Sequence, residues 1–243
     1  MRTQKSASSV SVCIRLRSGE VLEDLEWSGV GASWFAEAVP WRTFRWYRGQ
    51  KHYSGFYWSA TMSDHVIYES RLELARLLAA DFDPGVRGIL AQPFLLTALV
   101  EGKVRRHVPD FLLLTGAEPV VVDVKPAALL VREKVAVTLG WTARAVSARG
   151  WKYEVFSEPP AARLENIRFL AGYRRADLVD PDVLTGLREA RLNGRMLGEA
   201  FAALPGYPAA LVRAAVLHLI WAGELTVDLE IPLSPRSVLA RPR

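Results

Sequence analysis

Apolar and polar positions alternate over short stretches in the middle of the chain and turn to a helical period on either side. Residues 120–125, Val-Val-Val-Asp-Val-Lys, place Val121, Asp123 and Lys125 on one face of a strand and Val120, Val122 and Val124 on the other. Pro126 biases Lys125 toward extended backbone, so the Asp123 and Lys125 pair is expected at the carboxyl end of a mostly buried strand. Residues 104–114 read as a strand, preceded by an apolar run at 93–100 and a Glu101-Gly102-Lys103 turn, which predicts a hairpin. Pro109 has no N–H to give a ladder, so a bulge or splayed edge is expected just before Asp110. Downstream, residues 131–149 read as a helix, 151–156 as the next strand and 163–175 as a helix closing this core.

Upstream, the spacing predicts a helix from Ser63 or Asp64, either of which can cap it, to about Ala80, with Asp83-Pro84-Gly85 as its stop. Val66, Ile67, Leu74, Leu77 and Leu78 cluster on one side of that helix. Glu73 falls at the margin of the apolar stripe and Glu69 is turned toward Arg76, one turn away.

Past residue 177 the pattern predicts short helices at 181–191, 195–204 and 208–222, then an alternation through Leu225, Val227, Leu229 and Ile231. Three helices and a strand pair make a winged-helix-like unit. Its third helix is mostly apolar, with only Arg213 and His218 offering polar contacts, so docking of a protein is favoured over reading of base edges. At the other end, Trp27, Trp34, Trp41, Trp46 and Trp58 are five of the eight tryptophans, and residues 12–22 read as a hairpin turning at Ser18-Gly19. There Arg42, Arg45, Arg48, Lys51 and His52 are interleaved with Phe44, Trp46, Tyr47 and Tyr53. Such a mixture suits a phosphate backbone and unstacked bases, and equally suits a basic loop anchored by its aromatics. The expected organisation is therefore a Trp-rich basic region (1–60), an α/β core (61–176) and a winged-helix-like C-terminal domain (177–243).

The core carries the chemistry. Cleaving a phosphodiester takes an activated water, neutralisation of the phosphate and stabilisation of the leaving oxygen, and hard cations held by carboxylates do much of this. A nearby ammonium adds a compact charge with three donors. A helix acid (Glu73, with Glu69 as its rival), a strand-end Asp110, a second strand acid Asp123 and Lys125 two residues later supply these parts in one order. Each alone has an ordinary reading, as a solvated helix face, a turn residue or a cross-strand ion pair. The ordered set is what points to Mg2+- or Mn2+-dependent hydrolysis.

Pro109-Asp110 followed by Asp123-Val124-Lys125 resembles the PD-(D/E)xK nuclease superfamily, whose core is a mixed sheet flanked by helices, the restriction-endonuclease-like fold. Within it, Ser70-Arg71-Leu72-Glu73, Asp81-Phe82-Asp83-Pro84-Gly85-Val86, Gln92-Pro93-Phe94 and Arg106-His107-Val108-Pro109-Asp110-Phe111 look like TnsA-type endonuclease subunits of heteromeric transposases. The resemblance covers residues 53–175 and, more weakly, the C-terminal tail. It implies that Glu73, Asp110 and Asp123 are the acidic, metal-binding residues and Lys125 the catalytic lysine, with Gln92 at a further family position. It also implies double-stranded DNA as substrate, and a TnsB-like transposase and a TnsC-like AAA+ ATPase as partners, the latter contacted by the C-terminal domain. Where the best-known transposon member has glutamine, this chain has Asp123, which is closer to the general superfamily pattern.

Composition changes this picture little. A net charge of +5 over 243 residues favours a polyanionic partner. Cys13 is the single cysteine, which excludes an intrachain disulfide and a cysteine-based zinc site. His52, His65, His107 and His218 have no metal-ligand spacing; His107, three residues before Asp110, is a candidate DNA contact, as are Arg105 and Arg106. No apolar run is long enough to span a bilayer and no secretory leader opens the chain, so a cytoplasmic location and no membrane partner are expected. Two other readings stand beside the transposase subunit: a free-standing nuclease of the same fold in restriction, repair or phage defence, and a non-catalytic DNA- or protein-binding adaptor.

Overall fold

The computed structural model describes residues 10–42 and 53–242, and within them the chain is mixed α/β, with several sheets and six α-helices. It divides into two compact units, residues 1–76 with 85–158 and residues 77–84 with 159–243. Arg45, Arg48, Lys51 and His52 lie outside the described residues. Among the described residues, no helix is long and apolar enough to cross a membrane.

The first unit begins with β1 (Ser11–Arg15) and β2 (Val21–Glu26), joined through Gly19 at φ 90, a backbone region that glycine adopts without steric cost. A two-stranded ribbon follows, β3 (Gly55–Ser59) with β4 (Asp64–Tyr68), and then α1 (Arg71–Phe82), which ends in the second unit. The helix expected from Ser63 or Asp64 thus starts later. Ser63 sits at φ 49 in the ribbon turn, and Val66 and Tyr68 are buried on one face of β4, an alternation that the helical reading had absorbed into its stripe.

After α1 come β5 (Val86–Ala91), β6 (Leu95–Val100), β7 (Lys103–His107), β8 (Phe111–Thr115), β9 (Val120–Val124), α2 (Glu133–Ser147) and β10 (Lys152–Phe156). They form two four-stranded sheets. One is antiparallel, in the order β2-β1-β6-β7, so the first strands share a sheet with the predicted hairpin. The other has the order β10-β9-β8-β5 and is mixed, because α2 carries the chain from β9 back to a parallel β10. The single strand expected at 104–114 is broken at Val108-Pro109-Asp110, where the chain passes from one sheet to the other. Pro109 is where a ladder would have needed an N–H, and the interruption places Asp110 at the head of β8.

The core between these elements is apolar. Val12, Ile14, Trp27, Phe35, Phe94, Leu96, Leu112, Val121, Trp141 and Val146 are buried in one cluster.

The second unit holds the end of α1 with α3 (Ala161–Leu170), α4 (Pro181–Glu189), α5 (Leu197–Ala200) and α6 (Ala209–Trp221). Asp180 caps α4, accepting from the N–H groups of Asp182 and Val183, with Pro181 at the first helical position. The helix expected at 195–204 is a single turn. Residues 225–231 do not form a strand; isolated bridges join Met196 to Val238 and Thr226 to Ala240. The reason is Asn166, whose buried amide donates to Leu229 O (2.9 Å) and Ile231 O (2.8 Å) and accepts from Leu233 N–H (3.0 Å), drawing that backbone out of a ladder. Asn166→Ala is expected to cost about 3 kcal/mol through these buried groups left unpaired. Urea unfolding would read the loss, and hydrogen exchange would show amides 229–233 opening first.

Candidate active site

The site is built where β8, β9, α1 and α2 meet in the first unit. Asp110 is fixed by backbone on both sides: its N–H donates to Val122 O (3.0 Å) and its carbonyl accepts from Gln92 N–H (2.9 Å). Its Oδ2 accepts from Val124 N–H (2.6 Å) and from the Lys125 ammonium (3.4 Å). Lys125 Nζ also donates to Val124 O (3.0 Å). The backbone of Lys125 is held in turn, its N–H on Phe156 O and its carbonyl on Ser157 Oγ, at the end of β10. The lysine head therefore bridges a carboxylate and a carbonyl at the strand terminus.

Glu73 comes from the first turn of α1. Ser70 Oγ accepts from Glu73 N–H (3.1 Å) and donates to Glu73 Oε1 (3.0 Å), while Glu73 Oε2 accepts from Glu69 N–H (2.7 Å). This reciprocal cap starts the helix and holds the carboxylate in place. Glu69 precedes the helix rather than sitting one turn along it, and contributes its N–H to Glu73. Both glutamates line a cleft of about 360 Å3 together with Arg42, His107, Asp110, Lys125, Lys134 and the α2 residues Val135, Thr138 and Leu139.

Electrostatics separates the acids. Burial, reinforced by the Asp110 charge, pushes Glu73 up to about 7 from 4.5. Burial also raises Asp110, opposed by Lys125 and reinforced by Asp123. The three acids thus couple in a row with Asp110 in the middle. Because the native state holds Glu73 more tightly protonated than the unfolded chain, its contribution to stability is complete below pH 4.5 and is lost as pH rises through about 7. Glu73→Gln keeps an acceptor and removes the charge, so it is expected to stabilise the protein at pH 8 by on the order of 2 kcal/mol, with no difference below the ordinary glutamate pKa. Thermal unfolding of both proteins across that pH range checks this, and parallel curves would contradict it.

Asp123 does not line the cleft, although it and Lys125 were expected on one strand face. It is fully buried, with one carboxylate meeting His107 Nε2 (2.7 and 2.8 Å) and the Tyr153 hydroxyl. Burial and the Asp123 charge push the Tyr153 phenol upward, which keeps it a donor. His107 does line the cleft, and the Trp141 ring meets it edge-on at 6.3 Å. Arg105 and Arg106 lie on β7 leading to His107, and neither is among the cleft residues.

A divalent cation can be tested against this donor set. Among the described residues, no three His, Cys, Asp or Glu side chains stand arranged as ligands. The cleft does present three carboxylates, Glu69, Glu73 and Asp110, of which Glu73 and Asp110 are raised by burial. Mg2+ is commonly held by one or two carboxylates with the remaining positions left to water and substrate phosphate, so the pair fits such an ion.

Lys134 and Thr138 line the cleft and Tyr153 holds Asp123 beside it; all three were missed from sequence. The strand–helix–strand order carried a signal for Lys134, since a helix that follows β9 starts beside the strand end bearing Lys125. Tyr153 had no such signal, because its contact with Asp123 depends on the register of β10 against β9, which pairs Tyr153 with Val121. No protein-family model matches the chain, and no curated protein matches it in sequence.

Proposed function

We propose that this cleft hydrolyses phosphodiester bonds of DNA with Mg2+ or Mn2+, and that the chain is the endonuclease subunit of a heteromeric, TnsA-type transposase. In that reading the first unit is a restriction-endonuclease-like core and the second a winged-helix-like domain. The observation that carries it is the Lys125 ammonium seated on Asp110 in a cleft where the Asp110 charge also raises Glu73. An ammonium with the Glu73 and Asp110 carboxylates beside it suits charge neutralisation at a phosphate.

The roles follow from position. Glu73 and Asp110 would hold the cation, which when bound would supply a Lewis acid at the phosphate and a water of lowered pKa. Lys125 places a donor beside the same oxygens and stabilises negative charge that grows as the bond breaks. His107 and Tyr153 keep Asp123 ordered beneath Asp110, where its charge tunes the Asp110 carboxyl. In the second unit, α6 is buried from Ala215 to Trp221, which commits these residues to the unit's own core and weighs against base reading by them.

The identity of Asp123 favours a second reading, a free-standing nuclease, since an acid at this position follows the general superfamily pattern. Incision of element-end DNA by the purified chain, with and without a TnsB-like transposase and a TnsC-like ATPase, separates the two. Cutting only in the presence of both partners supports the transposase subunit. Equal cutting by the chain alone supports the free-standing enzyme.

A further inference from the structure

Two cations of the cleft have no part in the hydrolysis described above. Arg42 and Lys134 are exposed, line the cleft and, among the described residues, have no ion-pair partner. They arrive from different elements. Lys134 lies in the first turn of α2, and Arg42 follows Trp41 in the segment before the ribbon.

The position of Arg42 is built, and Gln92 builds it. Arg42 N–H donates to Gln92 Oε1 (3.1 Å), Trp41 N–H donates to Gln92 O (2.9 Å), and Gln92 N–H donates to Asp110 O (2.9 Å). Gln92 is buried and sits at φ 46, a region that costs a residue with a side chain about 1–3 kcal/mol. Strain of that kind persists where surrounding contacts over-determine it, and here the contacts on either side of Gln92 are Asp110 and the Arg42 segment. A residue held that way sets the register of a cation against a catalytic acid.

We propose that Arg42, registered on Asp110 by Gln92, and Lys134 of α2 grip the DNA phosphates that flank the one attacked. The inference rests on the nuclease reading of the cleft and adds a binding role for residues outside its chemistry. An internal phosphodiester has a phosphate on each side, and two unpaired exposed cations brought to the cleft by different elements are suited to a continuous strand. The grip lowers KM for duplex DNA and sets the salt dependence of binding.

The test measures affinity for a short labelled DNA duplex over a salt series, with Ca2+ in place of Mg2+. Arg42→Ala and Lys134→Ala are each expected to reduce the slope of log K against log salt by about 1, and the double variant by about 2. Gln92→Gly removes the side-chain tether to Arg42 N–H, keeps the backbone bond to Trp41 and relieves the positive φ, so it is expected to keep or raise thermal stability and still weaken binding several-fold. Arg17→Ala, which removes an exposed cation from the β1–β2 turn, is expected to keep the wild-type slope. Unchanged slopes in the Arg42 and Lys134 variants, an equal drop in Arg17→Ala, or no binding by the wild type would overturn the grip. Reduced slopes with no Mg2+-dependent cleavage by the wild type, alone or with a TnsB-like transposase and a TnsC-like ATPase, would instead overturn the hydrolytic reading and leave the DNA grip standing, whereas cleavage with unchanged slopes does the reverse.

Discussion

Lys125→Ala is expected to lower the rate of duplex nicking about 10²–10³-fold, the range seen when one preorganised charge-stabilising donor is lost. Two effects add. The donor beside the phosphate disappears, and Asp110 loses the nearby positive charge that opposes burial and the Asp123 charge, keeping only the Val124 N–H bond, so its carboxyl moves further up and holds a cation less well near neutral pH. Lys125→Arg is not expected to rescue, because a planar guanidinium cannot occupy the compact position between Asp110 Oδ2 and Val124 O. Since Lys125 is partly exposed, the alanine variant should unfold within a few degrees of wild type. Single-turnover nicking with thermal unfolding alongside measures both, and a rate within threefold of wild type would remove Lys125 from the chemistry.

Trp27→Ala is expected to cost about 4 kcal/mol of stability, near the upper range for aromatic truncation in a core. Trp27 is buried, with its ring 5.0 Å from Phe94 and 5.4 Å from Trp151 and its Nε1 donating to Ala145 O at 2.8 Å. The Arg149 guanidinium lies 4.2 Å from the Trp27 ring and 3.9 Å from that of Trp151, and Nη1 donates to Trp27 O. Removing the indole leaves a cavity, a carbonyl at Ala145 without its donor, and a half-buried cation stripped of one aromatic face. Chemical denaturation reads the cost. A loss under about 1 kcal/mol would mean that the N-terminal strands add little to the first unit.

The difference between what was legible in the sequence and what was not follows from the range of the forces involved. Local pattern placed β9, an irregularity at Pro109 and α2, because strand alternation and proline's missing N–H are properties of neighbouring residues, but it read as one bulged strand what is a break between two sheets. It failed for residues 64–68, where a five-residue apolar pattern fits a helix stripe and a ribbon equally and only pairing with β3 decides. It failed again at 225–231, where the alternation was real but Asn166, distant in sequence, takes the backbone groups a strand would have used. At the site, Lys125 and Asp110 meet as their order implied. The fate of Asp123 was illegible, since a strand face gives direction but not the His107 and Tyr153 side chains waiting on it.

On the proposed function, the cleft formed by Glu73, Asp110 and Lys125 cuts DNA. The most direct test is incision of supercoiled plasmid and element-end DNA under Mg2+ and Mn2+ by the wild-type chain with its candidate partners, beside Asp110→Ala and an EDTA control. Metal-dependent strand breaks that vanish in EDTA and in Asp110→Ala are expected. Breaks that persist in Asp110→Ala, or DNA that stays intact in every mixture while still being bound, would contradict it.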